Sequence, residues 1–236
     1  MKIGAIVQAR MSSSRLPGKV MMPLPRSGET SVLEHVIVRL SASKLIDTVI
    51  VATTSDPSDD IIVDTAVSNS VPYFRGSMED VLSRYYLAAK EHGLDIIVRI
   101  TSDCPCISSS IVDEVIRRHC SSSVDYTSNT IVRTYPHGFD VEVFSFATLE
   151  RAYNEATSSY DREHVTPYIY DTGAKAFVLQ NVEAPESLCA PEIRITLDTA
   201  DDYTVLCEVY ASLYKEGRHF TGEDVVELFQ HSEVLL

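Results

Sequence analysis

The 236-residue sequence contains no apolar run approaching the roughly 20 residues that a membrane-spanning helix requires. The first residues, MKIGAIVQAR, also lack the features of a secretory signal, because a charge follows a short apolar run and no small-residue cleavage site comes after it. We therefore expect a cytoplasmic protein with no membrane segment.

Cysteine is scarce, and none of it lies in a CxxC pair. The five cysteines are Cys104, Cys106, Cys120, Cys189 and Cys207. An odd, scattered set of this kind is typical of reduced intracellular thiols and argues against a zinc site.

Basic residues are few, with 20 Lys and Arg against 34 Asp and Glu, which gives a net charge of −14. This balance argues against a nucleic-acid partner, because affinity for a phosphate backbone comes mainly from clustered Lys and Arg. The first 40 residues nevertheless hold six basic and two acidic residues, a net charge of +4 that leaves −18 for the remainder. A local cationic site on an acidic protein favours a small polyanion such as a nucleotide.

Apolar and amphipathic segments alternate along the first half of the chain. Short runs rich in β-branched residues predict strands at 3–9, 47–54, 71–75 and 95–101. Segments of helical period predict helices at 31–42, 58–70 and 78–92, the last ended by Gly93. This order predicts right-handed crossovers, and therefore an α/β fold in which helices cover both faces of a mainly parallel sheet.

The alternation weakens after residue 120 and indicates an inserted subregion at 124–175. Within it, the alternating Phe139, Val141 and Val143 predict a half-buried strand in 137–145. Strands are predicted again at 176–180 and 193–198, followed by helices at 199–215 and 222–230.

The segment QARMSSSRLPGK at 8–19 follows the first predicted strand and contains no acidic residue. Ligands bind at the carboxyl ends of strands in open α/β sheets. There, Arg10, Arg15 and Lys19, with backbone N–H groups, form a candidate triphosphate site. Neither a Walker A sequence nor GxGxxG is present. The alternative interpretation is a solvated basic loop.

Two aspartates each follow a predicted strand, Asp103 after 95–101 and Asp198 after 193–197. If these strands are parallel neighbours, both carboxylates emerge at one sheet edge, where they form a candidate Mg²⁺ site that also uses substrate phosphates. The alternatives are that Asp198 is the N-cap of the next helix and that Asp103 serves only a turn.

Six segments in register resemble the cytidylyltransferases that activate sugars, especially the spore-coat-polysaccharide type and the enzymes for acylneuraminate and 3-deoxy-manno-octulosonate. They are AIVQARMSSSRLPGKVMMPL, FRGSMEDVLSRYY, VRITSDCPCI, YPHGFDVEVFS, YDREHVTPYIY and IRITLDTADDYTVL. The resemblance implies a nucleotide-diphospho-sugar transferase fold, a Rossmann-like three-layer α/β/α sandwich, as one domain over residues 1–236. It also implies that CTP condenses with a sugar hydroxyl to give a CMP-sugar and pyrophosphate.

The resemblance further implies roles for individual residues. Arg10, Arg15 and Lys19 would hold the triphosphate, and Asp103 and Asp198 would hold Mg²⁺. The candidate catalytic residues are the three basic residues and Asp103. Nucleotide contacts are expected from Ala52, Thr53, Thr54, Gly76, Asp80, Arg84 and Thr101. Because relatives commonly form homodimers, we expect a dimer with the 124–175 subregion at its interface.

Sugar contacts are expected from residues in the same subregion, namely His137, Asp140, Glu142, Arg162, Glu163 and His164. Two structural alternatives remain open. Asp161 is a candidate N-cap of a helix whose Glu163 and His164 are merely solvated. Asp140 and Glu142 are predicted to share one strand face, which in the alternative interpretation faces water.

Two other functions compete with sugar activation. A glycosyltransferase of the same fold would consume a nucleotide-sugar and typically carries a DxD metal sequence, whereas this chain has only a DxE at Asp140 and Glu142. A non-catalytic nucleotide-binding homologue would bind CTP without turnover, and the retained cations and aspartates argue against it.

Overall fold

The computed structural model describes residues 1–215 and 218–232, which contain one seven-stranded sheet in the order β3-β2-β1-β4-β6-β5-β7. The strands are β1 Ile3–Gln8, β2 Thr48–Thr54, β3 Tyr73–Gly76, β4 Ile96–Thr101, β5 Tyr126–Ser128, β6 Glu142–Ser145 and β7 Leu179–Asn181. Strands β1 to β4 are parallel, β6 is antiparallel to both neighbours, and β5 and β7 are parallel. The predicted mainly parallel sheet is confirmed.

Eight α-helices connect and cover these strands in the described part of the chain. They are α1 Val32–Ser41, α2 Asp60–Ser68, α3 Val81–Glu91, α4 Ser109–Cys120, α5 Phe146–Glu155, α6 Ser159–His164, α7 Ala200–Leu213 and α8 Gly222–His231. No described helix is long and apolar enough to cross a membrane.

The two faces of the sheet bury separate apolar clusters. In β1, Ala5 and Val7 belong to one cluster and Ile6 to the other, as expected when successive side chains point to opposite faces. Helices α1, α2, α4, α7 and α8 contribute to the first cluster, and α3 and α5 contribute to the second. Helices therefore cover both faces, as predicted.

The strand predicted at 193–198 is wrong. Only one isolated bridge, between His137 and Arg194, forms there. The alternating Ile193, Ile195 and Leu197 are buried in the first apolar cluster, so their period of two satisfies core packing without a ladder of strand hydrogen bonds.

The strand predicted within 137–145 is shorter than expected, because β6 begins only at Glu142. Asp140 precedes the strand, so it does not share a strand face with Glu142. Glu142 is itself almost wholly buried, with 9% of its surface exposed, and the alternative in which this face meets water is wrong for that residue.

The position of the loop after β1 follows from the strand order. The chain passes from β1 to β2 on one side and later reaches β4 on the other side of β1. This reversal creates a crevice at the carboxyl end of β1, the usual place for a ligand in an open α/β sheet. The cationic loop begins at that crevice.

Candidate active site

The cationic loop is closed by its own backbone. The Gly18 amide donates a 2.9 Å hydrogen bond to the Met11 carbonyl, and Gly18 has φ = +73°, a conformation that favours glycine. The Met11 amide in turn donates to a carboxylate oxygen of Asp59 over 2.7 Å. The loop is therefore fixed at both ends and presents its basic side chains at the carboxyl end of β1.

Lys19 joins the two aspartates that the sequence placed in separate segments. Its Nζ donates to Asp103 Oδ2 over 3.1 Å, to Asp198 Oδ1 over 2.9 Å and to the Leu197 carbonyl over 2.6 Å. Only 13% of the Lys19 side chain is exposed. The predicted convergence of both carboxylates occurs, and a single ammonium lies between them.

Asp198 reaches this position without a strand. The Leu197 amide donates to the Asp103 carbonyl over 2.8 Å, which places Asp198 beside the end of β4. Asp198 is not the N-cap of α7, because Thr199 occupies that position in a capping box with Asp202. The structural alternative for Asp198 is therefore wrong.

Asp198 is held ionised by its neighbours. Burial acts to raise its pKa, but the hydrogen bond and charge of Lys19 outweigh it, and the pKa of Asp198 lies below its ordinary value. Two arginines add to this effect, with Arg15 Nη2 at 2.8 Å from Oδ1 and Arg194 Nη2 at 2.6 Å from Oδ2.

This environment makes stability depend on pH in a defined direction. Since the pKa of Asp198 is lower in the folded state, its contribution is present above the unfolded value of about 3.9 and is lost as pH falls through the lower folded value. We expect the unfolding free energy of the unsubstituted protein to fall more steeply below about pH 4 than that of Asp198→Asn. Urea unfolding at several pH values measures this, and parallel curves would contradict it.

A polar cavity of about 420 Å³ lies above these groups. Nine of the predicted site residues line it, namely Arg10, Arg15, Lys19, Arg84, Thr101, Asp103, Glu163, His164 and Asp198. It also contains Gln8, serines 12–14 and Arg99, which the sequence analysis did not assign to a site. The cavity thus brings together the cationic loop, the ends of β1 and β4, the start of α3 and the end of α6.

Arg84 on α3 is buried, with 2% of its surface exposed, yet its Nε and Nη1 have no hydrogen-bond partner in the described residues. Burial lowers the pKa of Arg84, and the charge of Arg10 adds to the effect. Gly76 makes this placement possible, because a Cβ there would lie 2.8 Å from Arg84 Cγ. Buried donors without acceptors are costly, so Arg84 is suited to an anion that enters the cavity.

Arg99 is the principal site residue that the sequence analysis missed. It extends from β4 into the cavity, forms an ion pair with Glu142 of β6, and has a buried Nε without a partner among the described residues. Although burial disfavours its charge, the Glu142 carboxylate raises the pKa of Arg99 above its ordinary value. The Tyr126 hydroxyl donates to the other Glu142 oxygen over 2.6 Å. The one available signal was an arginine inside the apolar run DIIVRIT.

Several predicted ligand residues do not line the cavity. They are Ala52, Thr53, Thr54, Gly76, Asp80, His137, Asp140, Glu142 and Arg162. Thr54 donates its hydroxyl to Asp59, and Asp140 accepts hydrogen bonds of 2.7 and 2.9 Å from Arg133. Since both carboxylates of the DxE sequence are paired with arginines, that sequence offers no free metal ligand.

Asp80 and Arg162, predicted to contact nucleotide and sugar, bind each other. Arg162 Nε and Nη2 donate to Asp80 Oδ2 over 3.0 and 2.6 Å. Asp80 is also the N-cap of α3, and its Oδ1 accepts from the Ser83 amide over 2.9 Å. The pair therefore joins α3, which carries Arg84, to α6, which carries His164.

A pair of substitutions separates the two roles of Asp80. We expect Asp80→Ala to lower the unfolding free energy by about 2 kcal/mol, of which about 1 is the cap and the rest the partly exposed ion pair. Asp80→Ser keeps a capping hydroxyl but loses the ion pair, and it should lose about half as much. Thermal unfolding measures both, and equal losses would show that capping contributes little.

The predicted start of α6 needs one correction. Its N-cap is Ser158, whose hydroxyl accepts from the Asp161 amide, and not Asp161. Asp161 is 1% exposed and accepts hydrogen bonds from the Ser158 and Thr172 hydroxyls. Asp161 therefore stabilises α6 through hydrogen bonds on the buried side of the helix.

The carboxylates of Asp103 and Asp198 are suited to a magnesium ion in one respect, since both already accept hydrogen bonds from one cationic atom, Lys19 Nζ. The described residues contain no group of three or more His, Cys, Asp or Glu side chains placed to hold a metal ion. A magnesium ion here would therefore take its remaining ligands from water and phosphate oxygens, which is its usual behaviour in phosphoryl-transfer sites.

The family model described as "Cytidylyltransferase" matches residues 4–216. The chain belongs to the cytidylyltransferase family. It is accordingly a CTP-dependent nucleotidyltransferase, which confirms the resemblance found in the sequence.

Two curated proteins and two solved structures illustrate this relationship. An uncharacterized protein of Methanocaldococcus jannaschii is 42% identical over 89% of this chain and 83% of its own length. The spore coat polysaccharide biosynthesis protein SpsF of Bacillus subtilis is 35% identical over 87% of this chain and 85% of its own length. A cytidylyltransferase structure from Leptospira borgpetersenii is 35% identical with a TM-score of 0.89, over 98% of this chain and 94% of that one. A structure of CMP:2-keto-3-deoxy-manno-octonic acid synthetase in complex with CTP shares the fold, with a TM-score of 0.65 and 16% sequence identity. The match covers 90% of this chain and 99% of that one.

Proposed function

We propose that the protein transfers the cytidylyl group of CTP to a hydroxyl of a sugar or sugar acid destined for a polysaccharide, giving a CMP-sugar and pyrophosphate. The observation that carries this proposal is the cavity in which Lys19 lies between Asp103 and Asp198, opposite buried guanidinium groups. The names of two relatives support the substrate class, a spore coat polysaccharide protein and the 3-deoxy-manno-octulosonate cytidylyltransferases.

The residues that line the cavity form two groups, one that binds the triphosphate and one that lies on the side of the acceptor. Arg10, Arg15 and Lys19 bind the triphosphate and stabilise the charge that grows on pyrophosphate as it leaves. Arg84 supplies further donors that have no acceptor among the described residues. The acceptor hydroxyl attacks the α-phosphorus from the side lined by Glu163 and His164.

Asp103 and Asp198 would hold Mg²⁺, which when bound neutralises phosphate charge. Lys19 occupies the space between these carboxylates in the structure. We propose that Lys19 moves to the phosphates as nucleotide and metal enter.

We also propose a homodimer formed through the 124–175 subregion. Exposed apolar side chains there support it, since Ile131, Val132, Tyr160 and Tyr170 are each more than 40% exposed. Light scattering after gel filtration measures the mass, and a Val132→Lys variant that remains fully dimeric would place the interface elsewhere.

Thermal shift with CTP, UTP, GTP and ATP, each with and without Mg²⁺, tests the nucleotide part of the proposal. A ligand that binds only the native state raises Tm by mass action. We expect the largest shift with CTP and Mg²⁺, and Asp103→Asn should lose the magnesium-dependent part. Pyrophosphate release with 3-deoxy-manno-octulosonate and N-acetylneuraminate then tests the acceptor. An equal response to all four nucleotides would contradict the proposal.

A further inference from the structure

Transfer to a hydroxyl requires a group that accepts its proton, and the cavity offers four side chains able to do so. They are Asp103, Asp198, Glu163 and His164. The two aspartates already accept hydrogen bonds from the Lys19 ammonium. Glu163 and His164, at the end of α6, have no side-chain hydrogen bond or ion pair in the described residues, which leaves both free to accept a proton.

The backbone directly after Glu163 and His164 has an unusual conformation. Val165 is a β-branched residue with φ = +74° and ψ = −57°, and the Thr166 amide donates to the His164 carbonyl over 2.9 Å. This is a γ-turn of the rare strained type, which is seldom formed by valine. Such strain persists only where the surroundings enforce it, and it concentrates at functional sites.

The surroundings of this turn do enforce it. Val165 is fully buried in the second apolar cluster, and its amide donates to the Asp161 carbonyl over 2.9 Å. Asp161 is fixed by two hydroxyl groups, and Arg162 is bound to Asp80 of α3. The end of α6 is therefore held rigidly against the wall that carries Arg84.

Histidine is better suited than glutamate to this role, because its charge changes between about pH 5 and 8 and a base works best near the operating pH. Among the described residues, the ring that packs against the His164 imidazole is that of Tyr160, at 4.5 Å between centroids. The charged groups that share its cavity are Arg10, Arg15, Lys19, Arg84, Arg99, Asp103, Asp198 and Glu163. Five of these groups are cations and three are carboxylates.

We propose that His164 is the general base of the reaction, an inference that rests on the proposed cytidylyl transfer. The acceptor O–H bond breaks and its proton passes to an imidazole nitrogen of His164. The oxygen forms a bond to the α-phosphorus of CTP, and the bond from that phosphorus to the bridging oxygen breaks. Pyrophosphate leaves with the electron pair.

The first test uses 3-deoxy-manno-octulosonate as the acceptor probe and follows pyrophosphate release against pH. We expect His164→Gln to lower kcat at least 100-fold, to leave the KM for CTP within about threefold, and to remove the acidic limb of the rate profile. Glu163→Gln should keep that limb. His231→Gln is the matched control, since His231 is exposed on α8 and does not line the cavity. An acidic limb that persists in His164→Gln would overturn the proposal.

A second measurement needs no acceptor and separates this inference from the proposed function. Imidazole NMR signals of the 15N-labelled full chain are followed as CTP is added without Mg²⁺. We expect the His164 signals to move and those of His231 to stay. If CTP raises Tm but His164 does not respond, His164 is not the base and the nucleotide function stands. If CTP neither raises Tm nor moves His164, both proposals fail.

Discussion

Lys19→Met should lower kcat/KM for cytidylyl transfer by about 100- to 1000-fold, the loss typical when one positioned donor is removed from a developing negative charge. The same ammonium donates to Asp103, Asp198 and the Leu197 carbonyl. Its removal should also cost about 2 kcal/mol of unfolding free energy. Steady-state kinetics and urea unfolding on the same preparation measure the two effects.

Lys44→Met is the matched control for this variant. Lys44 lies in the exposed connection between α1 and β2, and it does not line the cavity. It should leave activity and stability unchanged. If Lys19→Met loses stability as predicted but keeps its kcat/KM, Lys19 serves only to hold the two aspartates together.

The largest loss of stability is expected from separating Arg99 and Glu142. Their side chains are 14% and 11% exposed, so Arg99→Met leaves a carboxylate that is almost fully buried without its cation. We expect the unfolding free energy to fall by about 3 kcal/mol, a large share of the 5–15 kcal/mol that typically stabilises a domain. Urea unfolding measures this loss.

A double-mutant cycle distinguishes loss of the pair from loss of packing. Glu142→Gln keeps an acceptor for the Tyr126 hydroxyl but leaves the Arg99 charge unpaired, and it should cost a similar amount. The double variant Arg99→Met/Glu142→Gln should be at least 2 kcal/mol more stable than the sum of the single losses predicts. Additive losses would mean that the two charges are not coupled.

The sequence was sufficient for the parallel part of the fold. The apolar runs of β1, β2 and β4 and the amphipathic segments α1 and α3 were found within a few residues, because buried parallel strands and two-faced helices leave strong local patterns. The segment 193–198 alternates between apolar and polar residues, as a half-buried strand does, but it forms no strand. An alternating pattern indicates which side chains are buried. Whether the segment also forms the hydrogen bonds of a strand depends on the segments that lie next to it in the fold.

Site residues could be predicted where their role follows from their position after a strand. They could not be predicted where the role depends on an ion pair with a residue far away in the sequence. Asp103 comes shortly after β4 and Lys19 lies in the loop that follows β1, and both line the cavity. Asp80 and Arg162 carry charges of the kind that bind ligands, yet they satisfy each other across 82 residues of sequence. Arg99 was overlooked because its carboxylate partner lies on a strand 43 residues away.

The ion pair between Asp80 and Arg162 links the two walls of the cavity, one of which presents Arg84 and the other His164. Its side chains are 31% and 23% exposed, so dissolved ions reach it and weaken it more than they weaken the apolar packing beside it. Added salt should therefore weaken the connection between these two walls more than it weakens the core of the protein.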